Sequence, residues 1–390
     1  MDRKIAFIAT GYIVKYDGIS VYTENLLDAF LERIADARYP WRIDIYAGKQ
    51  VVQLLEERVL ERHRRSGPDL RLIAVDDRSF FHKMAGLYAG LLKNGRYDAI
   101  FATNFMPLIL PWTRMMKVIH DLSPETNPTL YSPFHRRYHA LLLRSAKYLD
   151  RAIGYISRTT AADLRKYYGI VPERKTMLYL PNGIPFKVRN YERPDPSQSE
   201  EKFTGRKLYL LVVGRLNRAK GVDRILDFCR FFDRFLSDRK RFDEVVLTFT
   251  GKQTEETTAL FEDAAFERIR LRFDGFLDDE ALNRRYRESH FTLFLSRNEG
   301  YGLPLVEALW FRSVPLLSDI AIFREIMGEG YPLFGEGTEE EMLQFILRHF
   351  DDAGYRAAQR AYLEEVTAHE RDGYARAAQN LITWISADAK

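Results

Sequence analysis

The chain of 390 residues is 46% hydrophobic and 29% charged, a globular composition that excludes a disordered or fibrous protein and suits two domains. Its single cysteine, Cys229, excludes an intramolecular disulfide and a cysteine-based zinc site, and it indicates a reducing compartment. The net charge of +4 conceals an asymmetry, because residues 1–190 carry +11 and residues 191–390 carry −7, which indicates two domains with different partners.

The first half of the chain alternates strand and helix patterns. The apolar run 4–10 is typical of a buried parallel strand, and it is too short for a signal peptide or a membrane span. Ser20 is predicted to cap the helix that follows. The alternation predicts a parallel sheet with helices on both faces. Further strands are predicted at 42–47, 70–75, 99–103, 116–120 and 152–157.

Residues 181–206 contain four prolines and no apolar periodicity, so the sequence predicts a linker here. The second half then repeats the alternation. The predicted architecture is α/β, with two doubly wound, Rossmann-like domains that face each other across a deep cleft and bind ligands at the carboxyl ends of their strands. Strands are predicted at 208–214, 245–250, 269–273, 291–296 and 314–317, and helices at 222–236, 257–266, 278–288, 303–311, 338–350, 354–368 and 371–387.

The most informative stretch is SRNEGYGLPLVE at residues 296–307, which leads from a strand into a helix. Gly300 and Gly302 permit a ligand to approach the backbone closely, and Pro304 suits the first helical turn. Glu299 and Glu307 are expected to face one pocket. The alternative is a turn with two solvated glutamates, but the position of the loop and its glycines favour the pocket.

A second stretch, VVGRLNRAKGVDRI at residues 212–225, joins another strand to another helix. Gly214 ends the strand, and Arg215 and Lys220 flank the loop that opens the helix. Backbone N–H groups at a helix N-terminus together with these two cations predict a diphosphate site. The alternative is a solvated basic turn, and the spacing is not that of a Walker A loop.

Three further features lie at predicted strand ends. His120, beside Asp121, is a candidate hydrogen-bond donor or base, with a buried structural histidine as the alternative. Gly18 stands where a phosphate or an acceptor would approach a helix, although its loop has no GxGxxG fingerprint of NAD binding. The turn at residues 274–278 is suited to hold a nucleotide base on backbone groups, with Asp278 capping the next helix.

These motifs occur in one order along nearly the whole chain: His120-Asp121, I-S-x-x-T at 156–160, G-R-x4-K-G, T-G-K, D-G-F-L and S-x-x-E-G-Y-G-L-P-x-x-E-A-L. Together they resemble the retaining glycosyltransferases of family 4, the group 1 glycosyltransferases of GT-B fold, and bacterial mannosyltransferases among them. The resemblance implies an acceptor-binding domain at 1–185 and a donor-binding domain at 186–370. It also implies that a helix at 371–390 packs back on the N-terminal domain.

The resemblance also implies roles for single residues. Arg215 and Lys220 would bind the donor diphosphate and neutralise the leaving group, and Glu299 would contact hydroxyls of the transferred sugar. His120 would contact that sugar near the reacting carbon, which completes the predicted catalytic set. Glu307 would hold the ribose. The predicted donor-binding set comprises Gly18, Arg215, Lys220, Gly275, Phe276, Leu277, Glu299, Gly300, Tyr301, Gly302, Leu303 and Glu307.

Two positions depart from the family pattern. Asp17 stands where the first loop of the family often has a glycine. After the E-A-L segment the family usually has a glycine before the next strand, and this chain has Arg312 and Ser313. The first departure affects the contacts of the loop at Gly18, and the second affects a turn away from the chemistry.

The predicted reaction is retaining transfer of a hexose, best assigned as mannose from GDP-mannose, to a glycan or lipid-linked saccharide in bacterial polysaccharide or glycolipid biosynthesis. No Asp-x-Asp pair occurs in the sequence, so neither a metal nor a cofactor is predicted. The alternatives are a UDP-sugar-dependent transferase of the same fold, a sugar-nucleotide epimerase and a non-catalytic sugar-binding module. Nucleic acid is not a predicted partner, because the basic residues are dispersed and form no recognised binding motif.

Three segments of the basic half, at 58–65, 79–96 and 131–151, mix basic residues with aromatic or apolar ones. Such segments suit an anionic membrane surface. The alternative is that each is a helix whose apolar face is core and whose charges are solvated. The three together predict a cytoplasmic protein that binds peripherally to the inner face of the cell membrane.

Overall fold

Two parallel sheets organise the chain, one in each of two units: unit 1 comprises Met1–Pro185 with Asp372–Lys390, and unit 2 comprises Phe186–Arg371. The computed structural model describes residues 3–13, 17–64, 68–108, 110, 113–149, 152–173, 176–262 and 264–387. Within these residues, no helix combines the length and the apolar character that crossing a membrane requires.

The sheet of unit 1 has the strand order β3-β2-β1-β4-β5-β6-β7, and all its neighbours pair in parallel. Its strands are β1 (Arg3–Ile8), β2 (Trp41–Gly48), β3 (Asp69–Val75), β4 (Ala99–Ala102), β5 (Met115–Ile119), β6 (Ala152–Tyr155) and β7 (Thr176–Tyr179). Its helices before residue 185 are α1 (Gly18–Asp36), α2 (Val52–Leu55), α3 (Glu61–Arg64), α4 (Phe80–Lys93), α5 (Ser123–Thr126), α6 (Pro133–Leu149) and α7 (Arg158–Tyr168), with a π-helical turn at Glu56–Leu60 between α2 and α3.

The sheet of unit 2 has the order β10-β9-β8-β11-β12, again with parallel neighbours. Its strands are β8 (Lys207–Val213), β9 (Glu244–Thr250), β10 (Ile269–Gly275), β11 (Phe291–Phe294) and β12 (Val314–Leu317). Its helices are α8 (Phe186–Arg189), α9 (Pro196–Glu201), α10 (Val222–Asp238), α11 (Glu255–Glu262), α12 (Asp279–Glu288), α13 (Leu303–Trp310), α14 (Ala321–Met327), α15 (Glu339–Asp351) and α16 (Ala353–Arg371).

These sheet orders confirm the predicted fold class of two doubly wound, Rossmann-like α/β units. In each sheet the chain winds outward in one direction, returns to the middle, and winds outward in the other direction. The direction reverses between β1 and β4 in unit 1 and between β8 and β11 in unit 2. Ligands of open α/β sheets bind at such switch points, beyond the carboxyl ends of the strands.

The last helix, α17 (Gly373–Ser386), packs against α1 of unit 1. Its buried residues include Tyr374, Ala378, Leu381 and Ile385, the residues whose helical spacing marks them as one apolar face. Gly373 lets the helix start close to the sheet, because a Cβ there would lie 1.8 Å from the carbonyl oxygen of Asn182.

The structure corrects two local predictions. Ser20 does not cap α1; the carboxylate of Asp17 accepts the backbone N–H of Ser20, 2.9 Å away, and so caps the helix itself. Residues 181–206 contain the boundary between the two units, as the predicted linker implies, but they also form α8, α9 and a 3₁₀ turn that bury Val188 and Phe203. Helices this short show no periodicity in the sequence, which is why the apolar pattern missed them.

Helices α4 and α6 cover the same face of the first sheet. Ile8, Ala102, Lys117 and Ile153 are register partners across four neighbouring strands, so their side chains leave the sheet on one face. Ile8 packs with α4 and Ile153 packs with α6. The outer surfaces of both helices therefore belong to one side of unit 1.

Candidate active site

Three neighbouring strands of unit 2 end in glycines with positive φ: Gly214 (+115°), Gly251 (+109°) and Gly275 (+67°). The N–H of Gly251 donates to the carbonyl of Gly275 at 2.5 Å. A Cβ on Gly251 would lie 2.1 Å from the carbonyl oxygen of Gly214, whereas the space around Gly214 and Gly275 is open. The carboxyl edge of the sheet therefore presents backbone rather than side chains to a ligand.

The strongest polar contact at this edge joins Lys220 to Glu299. The Nζ atom of Lys220 lies 2.6 Å from each carboxylate oxygen of Glu299. Lys220 follows β8 and Glu299 follows β11, so the pair spans the switch point of the sheet. The hydroxyl of Ser296 donates to Oε1 of Glu299 at 2.8 Å, and the pair is only partly exposed. One cation and one carboxylate are thus held where the topology expects a ligand.

The loop that carries Lys220 is fixed on both sides. The side chain of Asn217 accepts the N–H of Lys220 at 2.9 Å, and Gly221 adopts a left-handed φ of +70°. A Cβ on Gly221 would lie 1.9 Å from the carbonyl oxygen of Leu295, so the loop after β8 packs directly on the chain leaving β11. On the outer side Arg297 makes two bonds, of 2.7 and 2.9 Å, to Asp223.

Glu307 has different surroundings from Glu299. It is buried on α13, and the hydroxyl of Tyr286 donates to its Oε2 at 3.0 Å. Burial raises the pKa of Glu307, and nearby Lys187 opposes that shift; Lys187 itself bonds Asp279 at 2.7 Å. The two glutamates expected to face one pocket therefore have separate partners, and the pattern of the sequence did not identify Lys187 or Tyr286.

The other members of the predicted donor-binding loop differ in exposure. Gly302 caps α13 at φ +92°, and Gly300 and Leu303 are half-buried. Tyr301 is 7% exposed, and its hydroxyl donates to the buried Glu370 of α16. The Tyr301 side chain therefore anchors the loop to α16, and a contact of this residue with a ligand would use its backbone.

The remaining predicted residues of unit 2 lie on the surface. Arg215 is exposed, directly after the glycine that ends β8. Phe276 is 88% exposed and Leu277 is half-buried, beyond the end of β10. Asp278 caps α12 by accepting the N–H of Ala281 at 2.8 Å, which confirms the predicted cap.

His120 of unit 1 follows the last residue of β5, at the carboxyl edge of its sheet. Its Nε2 lies 2.8 Å from the carbonyl oxygen of Thr103, so Nε2 carries the proton of that bond. Burial lowers the pKa of His120, which keeps the ring neutral at pH 7 with Nδ1 as an acceptor. The ring edge packs on Tyr22 at a centroid distance of 4.8 Å.

The I-S-x-x-T motif supports this histidine. Ser157 caps α7 by accepting the N–H of Thr160 at 3.0 Å, and the Thr160 hydroxyl donates to the carbonyl of His120 at 3.0 Å. The motif therefore ties the end of β5 to the start of α7. Its two side chains position His120, a role that spacing along the chain does not reveal.

Gly18 is exposed and is the first residue of α1. Asp17 precedes it and caps the helix. The first loop lies near the end of β5, since the charge of Asp17 acts to raise the pKa of His120. Asp17 therefore has a local structural role in this chain. Part of this loop, residues 14–16, lies outside the described residues.

The arrangement in unit 2 is suited to hold an anion. It combines the Lys220 ammonium, the exposed Arg215 and glycine-rich backbone at a switch point, the groups that bind phosphate oxygens in α/β folds. In the parts of the chain that the structure describes, no three His, Cys, Asp or Glu side chains are grouped so that they would bind a metal ion.

Comparison with known proteins identifies the family that unit 2 resembles. Residues 195–365 match the family model described as "Glycosyl transferases group 1", which confirms the predicted resemblance over most of unit 2. The serotype-specific mannosyltransferase WbdA of Escherichia coli is 25% identical over 252 residues, which are 63% of this chain and 30% of that protein. The matching segment thus spans less than a third of that relative.

Solved structures resemble the chain over nearly its full length. HepE of Anabaena, in complex with UDP and glucose, has a TM-score of 0.66 at 15% identity and covers 98% of this chain and 99% of its own. WaaG, a glycosyltransferase involved in lipopolysaccharide biosynthesis, has a TM-score of 0.65 at 16% identity and covers 98% and 100%. At these identities the likeness shows the fold, which is GT-B.

Proposed function

Since residues 195–365 match the group 1 glycosyltransferases and the chain has their GT-B fold, we propose that this protein transfers a hexose from a nucleotide-diphosphate sugar to a saccharide acceptor. The Lys220–Glu299 pair at the switch point of unit 2 is the observation that carries the proposal. It supplies a cation for a diphosphate and a carboxylate that accepts hydrogen bonds from sugar hydroxyls.

The proposed chemistry depends on charge at the leaving group. Glycosyl transfer passes through an oxocarbenium-like state while the diphosphate departs as an anion, and fixed cations aimed at that charge lower the barrier. We assign this role to Lys220 and Arg215, which lie beside glycine backbone, and Glu299 holds Lys220 in position. We propose front-face attack with retention, in which a leaving phosphate oxygen takes the proton of the acceptor hydroxyl, and no metal or cofactor takes part.

We assign Glu307 to the ribose of the donor. Its carboxylate is fixed by Tyr286 and lies near Lys187, and such a group accepts bonds from vicinal hydroxyls. The contacts assigned to Gly18 and His120 with the donor, and to the turn at 275–277 with the base, stay predictions.

The proposed donor is GDP-mannose. The likeness to a named mannosyltransferase supports the sugar, whereas a complex of HepE with UDP and glucose favours the second candidate, a UDP-sugar transferase. The proposed acceptor is a glycan or lipid-linked saccharide in bacterial polysaccharide or glycolipid biosynthesis, as the motifs of the sequence predict.

Thermal unfolding tests the donor. A saturating nucleotide sugar stabilises a protein by about 2.7 kcal/mol at one hundred times its Kd, which is roughly 5–10 °C for a unit of this size. We expect this rise with GDP-mannose for the wild type and the Lys207→Ala variant, whose lysine is on the surface, and a smaller rise at the same donor concentration for Lys220→Ala. A rise with UDP-sugars alone would support the second candidate, and no rise with either would contradict a nucleotide-sugar site.

Product analysis then separates transfer from epimerisation. We expect GDP release from GDP-mannose to rise when a saccharide acceptor is added, and to persist in EDTA. Conversion of the donor sugar to its epimer without an acceptor would overturn the transferase assignment. Loss of activity in EDTA that added metal restores would overturn metal independence.

We further propose that the side of unit 1 formed by α4 and α6 binds the anionic inner face of the membrane. On α6 the exposed Phe134, Leu141 and Tyr148 repeat every seven residues, about two helical turns, and thus share a face. On α4 Phe81 is 81% exposed. The basic residues interleaved with them are Lys83 and Lys93 on α4 and Arg136, Arg137 and Arg144 on α6.

The third predicted basic segment, at 58–65, is left out of this proposal, and its Arg65 lies outside the described residues. Arg58, Arg62 and Arg64 form ion pairs with carboxylates of unit 1, at 3.5, 2.6 and 2.5 Å. Their charges are therefore already compensated within the unit.

Vesicle co-sedimentation tests the membrane surface. Each basic residue near an anionic leaflet contributes about 1 kcal/mol, so replacing Arg136, Arg137 and Arg144 by glutamine should weaken binding to phosphatidylglycerol vesicles about a hundredfold. Phe81→Ser with Phe134→Ser should also reduce binding, whereas Tyr167→Ser, an exposed aromatic on α7, should not. Equal binding by all variants, or binding that is unchanged at high salt, would contradict the proposal.

A further inference from the structure

A cavity with charged side chains in a partly apolar lining lies in unit 2, away from the carboxyl edge of the sheet. It is enclosed by α9, the C-terminal end of α13, the end of α15 and the face of α16, and its volume is about 40 Å³. A cavity that holds a single water molecule needs a volume of roughly 10–15 Å³. The cavity is therefore large enough for a small ion and too small for a nucleotide. Its charged lining residues are Arg193, Glu200, Arg312, Arg356, Arg360 and Glu364.

Positive charge exceeds negative charge among the residues that line this cavity, and the nearby Asp195 offsets part of the charge at Arg312. Glu200 bridges Arg356 and Arg360, with distances of 3.0 and 2.6 Å. Glu364 bridges Arg193 and Arg312, with distances of 2.5 and 3.0 Å. Both carboxylates are thus shared between two guanidinium groups, and four arginines face two glutamates. Two positive charges therefore remain uncompensated by the lining, in a site that is partly open to solvent.

Arg312 is the least satisfied of these cations. Its side chain is 12% exposed and pairs with Glu364 through Nη2, while its Nε and Nη1 atoms are buried and have no hydrogen-bond partner in the described part of the chain. Its backbone adopts a left-handed φ of +58°, which costs a non-glycine residue conformational energy. A buried donor without a partner is also costly, so Arg312 combines two unfavourable features at one position.

The same cavity also contains acceptors without partners. His349 is 1% exposed, and its Nδ1 donates to the carbonyl of Phe345 at 2.8 Å, which leaves Nε2 as an acceptor. Among the residues described, no donor reaches Nε2 of His349 or Oε1 of Gln359. A ligand that satisfied the whole cavity would need anionic oxygens for Arg312 and a hydroxyl for these acceptors.

We propose that this arginine-lined cavity is a binding site for hydrogen phosphate. The ion fits the volume, its negative oxygens accept from Nε and Nη1 of Arg312, and its P–OH group donates to His349 or Gln359. Sulfate has similar size and charge but no hydroxyl, so it satisfies only the arginine. The site is independent of the proposed transfer reaction, since it lies at the opposite end of α13 from the loop of Glu299.

Equilibrium dialysis with labelled phosphate tests this site. The donor site would also bind phosphate, so the parent protein carries Arg215→Ala and Lys220→Ala. We expect this parent to bind one phosphate, more tightly than sulfate or chloride. Adding Arg312→Gly should weaken phosphate binding about tenfold or more, because charge-assisted bonds are lost. Glycine tolerates the left-handed backbone, so this variant should fold.

A matched control removes one arginine elsewhere. Arg230→Gln in the same parent changes an exposed ion pair on α10 and should leave phosphate binding unchanged. Methyl phosphate distinguishes the free ion from a phosphomonoester: as a dianion it lacks the P–OH group and should bind more weakly than phosphate. No binding by the parent, or equal binding by the Arg312→Gly variant, would overturn the proposal. Tighter binding of methyl phosphate or sulfate than of phosphate would overturn it as well.

Discussion

Replacing Lys220 by alanine is expected to lower turnover by about 10²–10³-fold, the usual effect of removing one fixed group that stabilises developing negative charge. Two causes add in this chain. The cation nearest the proposed diphosphate is lost, and Glu299, which accepts two bonds of 2.6 Å from Lys220, is left without its counter-charge beside an anionic donor. The measurement is the rate of nucleoside diphosphate release at saturating donor.

The control is Lys207→Ala, which removes a lysine whose ion pair with Glu244 is on the surface, and it should retain wild-type turnover. A double variant with Glu299→Gln should lose less than the sum of the two single losses, because the residues contact each other. Turnover near the wild-type rate in Lys220→Ala, with thermal unfolding unchanged, would show that the pair has no part in the reaction.

Replacing Gly221 by alanine is expected to destabilise unit 2 by more than about 3 kcal/mol, within the range of the most damaging single substitutions. The new Cβ would lie 1.9 Å from the carbonyl oxygen of Leu295, and backbone on both sides leaves no flexible side chain to yield. Calorimetry should show a fall in Tm of roughly 6–12 °C for a unit of this size. The displaced loop carries Lys220, so the rise in Tm that the nucleotide sugar causes should also be smaller in this variant.

Gly337→Ala is the matched control. Gly337 has φ +76°, close to the +70° of Gly221, but no atom lies within 4 Å of its hypothetical Cβ. This substitution should lower the free energy of unfolding by about 1–2 kcal/mol, because it adds only backbone strain. If the two variants lost equal stability, the close approach of Gly221 to Leu295 would not be the cause.

The fold was predictable because its signals are local. Buried parallel strands are continuous apolar runs and the helices between them are amphipathic, so the order of elements follows from periodicity alone. The strand-end glycines identified the edge of the sheet where the proposed site lies, since Gly214 and Gly275 have positive φ in open space. Elements of a few residues, such as α8 and β7, have no period to detect.

Partners across the fold were not predictable. Glu299 and Glu307 are equivalent by spacing and motif, but one pairs with Lys220 and the other is buried against Tyr286. Which neighbour a side chain contacts depends on how α12 and α13 pack on the sheet. The hydrogen bond from Tyr301 to Glu370 on α16 likewise depends on how the helices pack.

By itself, then, the sequence determined the class of each unit, the order of its elements and the glycine-rich edge where the proposed diphosphate site lies, because each of these depends on neighbours within a few residues. The tertiary structure alone decided which charges meet. Lys220 and Glu299 are 79 residues apart, and Arg312 reaches Glu364 only because the end of α13 packs against α16. Charge pairing and desolvation act through space, so the Lys220–Glu299 pair and the arginine-lined cavity exist only in the folded chain.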